Sequence, residues 1–485
     1  MRNVGTIHLI AAATAFAMAG LAAGQPAAAG LQPASLEAAM EAAERGDPAP
    51  AEQALQALGA GDEAVLLRGR LAAAGYQGTP HRDPELARIA LHGPPGQRRA
   101  ALTIISSAAF AAGDYRIAAS AAGRLAAQLR AEGNAEGADG AERTQQVAAI
   151  LGAGPGQSVD GPVAMGSTPL RYDEMGLPRI AISLNAGVQD AVVDTGANLS
   201  VLSAETARRL AIPIHSSRGS VGNAAGGTVP VRTGVAERLT IAGTTLRNVP
   251  FLIIDDAELT FAAAGGYRIQ AIIGLPVLRA LQRIRMDETH FAVEAPQPFD
   301  PARQALHAAG NDLFLRVQVG GEVVPLLLDT GANRTLLTSV FAAAHPQLVS
   351  GLSAAEQQVA SAGGQRRTSA VVWRDVSVNV GGRSVTLPSI SIALPAAGAN
   401  ARNYGTVGSD VLRRLGSYAI DFRAMRVESA PQTDRPPAGA SAPSSYRTGQ
   451  ISLVTQSVRS SQAGVATREG ASGATETQSD KDVFQ

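Results

Sequence analysis

Cysteine is absent from the 485 residues, which rules out disulfides, thiolate metal sites and cysteine nucleophiles together. Aromatic residues are scarce, 4 % of the chain with one tryptophan, so aliphatic side chains must fill any core. No charge sign prevails, since 41 Lys and Arg balance 41 Asp and Glu. Nucleic acid and anionic membrane are therefore not expected as partners. Seven His residues form no HExxH or similarly spaced cluster, so neither a metal nor another cofactor is expected. The uncharged apolar stretch Ile7 to Ala23 follows Arg2 at the N-terminus. Small residues then offer cleavage after Gly24 or Ala29, the arrangement of a secretory signal peptide over residues 1–29. The expectation is export across the inner membrane, to the periplasm or beyond, from a bacterial cell of Ala- and Gly-rich coding bias. The alternative is that the segment stays uncut as an anchor.

What the chain does contain is a repeat. Asp194-Thr195-Gly196-Ala197 and Asp329-Thr330-Gly331-Ala332 lie 135 residues apart, each closing an apolar run (AVVDTGANLSVLS and LLLDTGANRTLLT). Each is followed by an apolar-apolar-Gly stretch, IIGLPVL with Gly274 and TVGSDVL with Gly408. Gly274 and Gly408, Asp287 and Asp421, and Glu294 and Glu428 are all 134 residues apart, and Gly226 and Gly363 are 137 apart. Landmarks held within three residues of one offset indicate internal duplication. RIAISL and VQDAVVDTG flank Asn185-Ala186-Gly187 and read as a hairpin delivering the first Asp. LFLRVQV and EVVPLLLDTG flank Gly320-Gly321 and do the same for the second. Short helices are predicted at 203–210 and 338–344, with Ser203 and Thr338 as N-caps.

These motifs resemble the aspartic proteases, in particular the retropepsin-like (retroviral-type) bacterial branch, over about residues 168–429. The resemblance implies a mainly β, bilobal acid-protease fold made of two retropepsin-like lobes in one chain. The first would span 168–294, the second 313–429, with a linker over 295–312. It implies an aspartic endopeptidase acting on a peptide or protein substrate, with Asp194 and Asp329 as the catalytic pair. Two carboxylates about 3 Å apart share one proton, so one can act as general base on water while the other donates to the carbonyl. Thr195 and Thr330 would interlock the two loops through their hydroxyls, and Gly196 and Gly331 would let the loops approach. Gly274 and Gly408 would be structural. With both loops in one chain, a monomer should suffice. Glycine-rich hairpins at 219–228 and 360–366 would serve as flaps, and neither carries the flap Tyr of pepsin-like enzymes. Asp410 follows Gly408, whereas Pro276 stands at the corresponding place after Gly274.

Residues 30–152 read as a small all-α domain. Ala- and Leu-rich stretches alternate with breakers at Gly46-Asp47-Pro48, Gly59-Ala60-Gly61 and Pro94-Pro95-Gly96. FAAGDYRIAASAAGRL is similar to the turn of a tetratricopeptide-type hairpin, which makes the region a candidate surface for a protein partner. A spacer or prosegment is the other reading. Because every catalytic landmark lies within 160–430, that fragment is expected to fold and cleave alone. The segment 430–485, rich in Pro, Ser, Thr, Gly and Gln, is expected to be disordered. A second class of function fits the same features: a non-catalytic peptide-binding or scaffolding protein that keeps the protease-like fold.

Overall fold

The computed structural model describes residues 6–7, 36–185, 187–215, 219–222, 228–261, 265–362, 364–395 and 403–429. The tail read at 430–485 lies outside the described residues, as does the N-terminal leader apart from Thr6–Ile7.

Seven helices come first: α1 (Leu36–Glu44), α2 (Ala49–Ala57), α3 (Asp62–Ala74), α4 (Pro84–His92), α5 (Pro95–Ala112), α6 (Tyr115–Ala131) and α7 (Ala135–Gly152). The three Gly/Pro breakers fall at helix boundaries, where the sequence puts them. Asp83 caps α4 by accepting from the amides of Glu85 and Leu86, satisfying donors that the first turn leaves free. Between α5 and α6, Gly113 takes a left-handed conformation (φ 81°), which ends α5 and turns the chain back on itself. The helices bury an Ala- and Leu-rich core of their own, including Leu66, Leu86, Ile104 and Leu125.

From Ser158 the chain is mainly β, in two lobes of like topology. In the first, Pro178–Leu184 and Gly187–Val193 form the expected hairpin. Gly187–Val193 then pairs in parallel with Ala271–Ile273, which pairs antiparallel with Ser200–Ser203. In the second, Asp312–Val319 and Glu322–Leu328 form the hairpin. Glu322–Leu328 pairs in parallel with Gly405–Val407, and that strand pairs antiparallel with Leu336–Leu337. Each Asp loop is thereby held between a strand entering and a strand leaving one sheet. The two N-caps form: Ser203 accepts from Thr206 N and Thr338 from Val340 N.

The lobes are stitched together by strands. Arg283–Met286 of the first pairs antiparallel with Tyr418–Asp421 of the second. His290–Val293 and Gly166–Tyr172 extend this sheet on one side and Arg426–Ser429 on the other. One apolar cluster runs through both lobes, from Leu170 and Ile180 to Ile420 and Val427. The stretch 295–312, read as a linker, holds a 3-10 turn at Pro301–Arg303 and the strand Leu306–Ala309, which edges the second sheet. Its alternation was obscured by the Ala-rich composition around His307.

Candidate active site

The Asp194 and Asp329 side chains are completely buried and face each other. Their hairpins place them so: Asp194 N donates to Ile273 O at 3.0 Å and Asp329 N to Val407 O at 3.1 Å, one equivalent bond per lobe. The two carboxyls lie in hydrogen-bonding contact. Asp194 Oδ1 accepts from Gly196 N at 2.8 Å and Ala197 N at 3.1 Å. Its Oδ2 has no N–H or O–H donor beside it, so the contact becomes a hydrogen bond only when the pair carries a proton.

Each loop is completed by the other. Thr195 Oγ1 donates to Leu328 O at 2.7 Å and accepts from Thr330 N at 3.1 Å. Thr330 Oγ1 donates to Val193 O at 2.8 Å and accepts from Thr195 N at 3.0 Å. Four buried bonds thus cross between the lobes, and no water competes for them. The two glycines are there for clearance. A Cβ on Gly196 would lie 2.7 Å from Asp329 Cγ, and one on Gly331 closer still to Asp194 Cγ.

Gly274 and Gly408 pass directly behind the loops. A Cβ on Gly274 would meet Ala197 O and Leu199 C at 2.7 Å, and one on Gly408 would meet Arg334 C at 2.5 Å. Their φ values, −93° and −98°, suit any residue; proximity is what demands glycine. The sequence did not single out two hydroxyls beside them, although both stand six residues after an Asp. Gly274 N donates to Ser200 Oγ at 3.1 Å, and Gly408 N to Thr335 Oγ1 at 3.0 Å. Supports then diverge. Asp410 accepts from Thr335 N, Thr335 Oγ1 and Val411 N at 2.7–2.9 Å. Burial raises its pKa while those bonds pull the other way. In the first lobe Pro276 offers its carbonyl to Gln157 Nε2 at 3.1 Å instead.

Burial pushes the Asp194 pKa well up, and the Asp329 charge adds to the effect; the amides of Gly196 and Ala197 oppose it. A carboxyl whose pKa is higher folded than unfolded favours the folded state below its unfolded value. That contribution disappears as pH rises through the raised value. The pair is therefore least comfortable when fully ionised.

Among the described residues no group of His, Asp and Glu could hold a metal ion. The flap hairpins fall where expected: Gly219–Gly222 pairs with Thr228–Ile241, and Ser353–Ser361 with Gly364–Val380. The turn residues 223–227 and 363 lie outside the described residues.

A fold of two like β lobes meeting at a buried pair of Asp-Thr-Gly loops defines an aspartyl protease. The aspartyl protease family model matches residues 182–277 and 315–411, one match to each lobe. The two lobes belong to this family as tandem retropepsin-like domains. No curated protein matches the chain.

Proposed function

We propose that the chain is an exported aspartic endopeptidase whose Asp194–Asp329 pair activates water. The observation that carries this reading is the carboxyl–carboxyl contact, buried from solvent and framed by the four Thr bonds. With one proton shared, the ionised carboxylate takes a proton from a water held between the two groups. The resulting hydroxide attacks the scissile carbonyl carbon, and the protonated carboxyl donates to its oxygen. Collapse of the tetrahedral adduct breaks the C–N bond as the nitrogen takes up a proton from the pair. The titration belongs to the pair and not to either Asp.

The test is cleavage of an unfolded protein substrate at mildly acidic pH, with and without a statine-containing peptide that mimics the tetrahedral adduct. Inhibited cleavage supports the reading. Cleavage blocked by a chelator and untouched by the peptide would overturn it. Specific activity should also hold constant from micromolar to nanomolar chain, because both loops lie in cis; an obligate dimer would lose activity over that range.

The optimum is expected at roughly pH 4.5–6.5. In pepsin-like enzymes the residue after Asp-Thr-Gly supplies a hydroxyl to the carboxylate. Here Ala197 and Ala332 fill that place, both completely buried. Fewer donors to the charged form leave the pair's proton affinity higher, in line with the raised Asp194 pKa. In the double variant Ala197→Ser/Ala332→Ser the acid limb of the pH–rate profile should move down by about one pH unit. An unmoved limb would show that other groups set the affinity.

A further inference from the structure

Support is unequal between the two flap hairpins. Along the first runs α7: a Cβ on Gly219 would sit 3.7 Å from Val147 Cγ2 and 3.8 Å from Val231 Cγ2. Val147, Ala148 and Leu151 of α7, with Phe110 and Tyr115, share one apolar cluster with the hairpin residues Val229 and Val231. The same cluster takes in Ala197 and Leu199 of the Asp194 loop and Ile272 behind it. The helices that supply this wall are themselves anchored on both lobes. The Arg279 guanidinium donates to Ala111 O and lies 3.6 Å over the Tyr76 ring. Gly46, in the α1–α2 turn, is in close contact with the Phe314 ring of the second lobe.

The second hairpin is built differently. Its strands Ser353–Ser361 and Gly364–Val380 are longer, and Ser353, Ala354, Glu356, Gln365, Arg367 and Ser369 are exposed. Among the described residues, none of the seven helices packs along it as α7 does along the first. At its end Ala362 is buried and joins the apolar cluster of the helices and first lobe. Beside the second Asp loop an open groove of about 390 Å³ is lined by Met175, Asn333, Arg334, Ser409, Asp410 and Arg413.

We infer that the helical region is a fixed wall of the cleft that clamps the first flap, leaving the second hairpin as the only gate for a peptide. The inference rests on the peptidase reading. Val147 is a positioning residue: it holds the strand Gly219–Gly222 down without touching substrate. Raising the first hairpin would return Val147, Val229 and Val231 to water. Raising the second would expose little beyond its Ala362 tip. Hinge motion belongs to the segment with the fewest buried apolar contacts. Substrate therefore enters from the second-lobe side.

Amide hydrogen exchange on the full chain reads this directly. Amides of 219–222 and 229–231 should exchange slowly and those of 353–361 quickly. Val147→Ser should speed the first set by about tenfold or more and leave the second unchanged, while Val147→Ile keeps the first slow. Equal exchange in the two hairpins, or no response to Val147→Ser, overturns the inference whether or not the chain is active. Activity adds a second arm. The chain has no cysteine, so Val147→Cys/Gly219→Cys can form a single defined disulfide. Its oxidised and reduced forms should cleave peptide within about twofold of each other, with kcat unchanged and KM carrying any difference. Loss of cleavage on oxidation alone would mean that the helices must lift from the first flap, making them an inhibitory cap. If neither form nor the unmodified chain cleaves, the peptidase reading fails and the exchange result still decides the clamp.

Discussion

Asp194→Asn and Asp329→Asn should each lower peptide cleavage by about 10⁴-fold, and the double variant should be no slower than either. The carboxyls touch, so each is half of one proton-sharing unit; removing one leaves neither a base beside an acid nor a shared proton. Additive losses, or a single variant retaining a tenth of its rate, would rule out that unit. The same substitutions should stabilise the fold at neutral pH. Burial and the neighbouring charge raise the Asp194 pKa, so the parent loses stability as pH climbs through that value, and a neutral amide does not. Thermal unfolding at pH 7 should rise by roughly 2–4 °C for each kcal/mol recovered. The gain should shrink near pH 4, where the parent pair is protonated. Inactivity together with a higher Tm would separate a lost catalytic group from a damaged fold.

Deleting the helices should be more damaging. A fragment beginning at residue 153 is expected to aggregate or to unfold without a cooperative transition, whereas the full chain melts as one unit. The deletion uncovers Phe314 beneath the α1–α2 turn and Leu199, Val229 and Val231 on the first lobe. It also strips Arg279 of its carbonyl and ring partners. Each large side chain returned to water forfeits about 1.5–3 kcal/mol, against a total stability of roughly 5–15 kcal/mol for a typical fold. Soluble yield and calorimetry of the fragment test this. A sharp, independent transition would show the helices to be an appendage. The motifs alone suggested the opposite, because every chemical landmark lies in 160–430. Motifs mark where chemistry sits and carry no information on which apolar faces need covering.

Much of the site was legible because duplication marks it. The repeated Asp-Thr-Gly-Ala and apolar-apolar-Gly elements gave the β lobes and the hairpins, and the structure brings those elements together at one point. Interlocked threonines followed from the resemblance, and the four cross-lobe bonds have that geometry. Ser200 and Thr335 were passed over: a lone hydroxyl in a strand reads as β propensity until its backbone donor is seen. The strand Leu306–Ala309 was hidden because Ala and His carry little strand preference and only its neighbour's register defines it. The docking of α7 on the first flap was invisible for a deeper reason. It depends on which surfaces meet between segments some 70 residues apart, as at Val147 and Gly219, and small side chains such as Ala and Gly leave no pattern for that.

The sheet that joins the lobes shows what a single polypeptide permits. In a symmetric assembly of identical halves, every residue occurs twice and a change on one side is imposed on the other. Here Arg283 reaches Asp421 at 3.1 Å, Glu428 at 2.8 Å and Glu294 at 3.0 Å, whereas Ser417 stands 134 residues further on, in the corresponding place. Asp421 is fully buried in that network, while its counterpart Asp287 only closes an exposed turn with Thr289 and His290. A second arginine would need its own buried acid, and a second Pro276 would remove the carboxylate that fixes Thr335. Fusion freed each half from copying the other. One half could then specialise in carrying the helices and the other in admitting what is to be cut, while selection held only the two Asp-Thr-Gly loops alike.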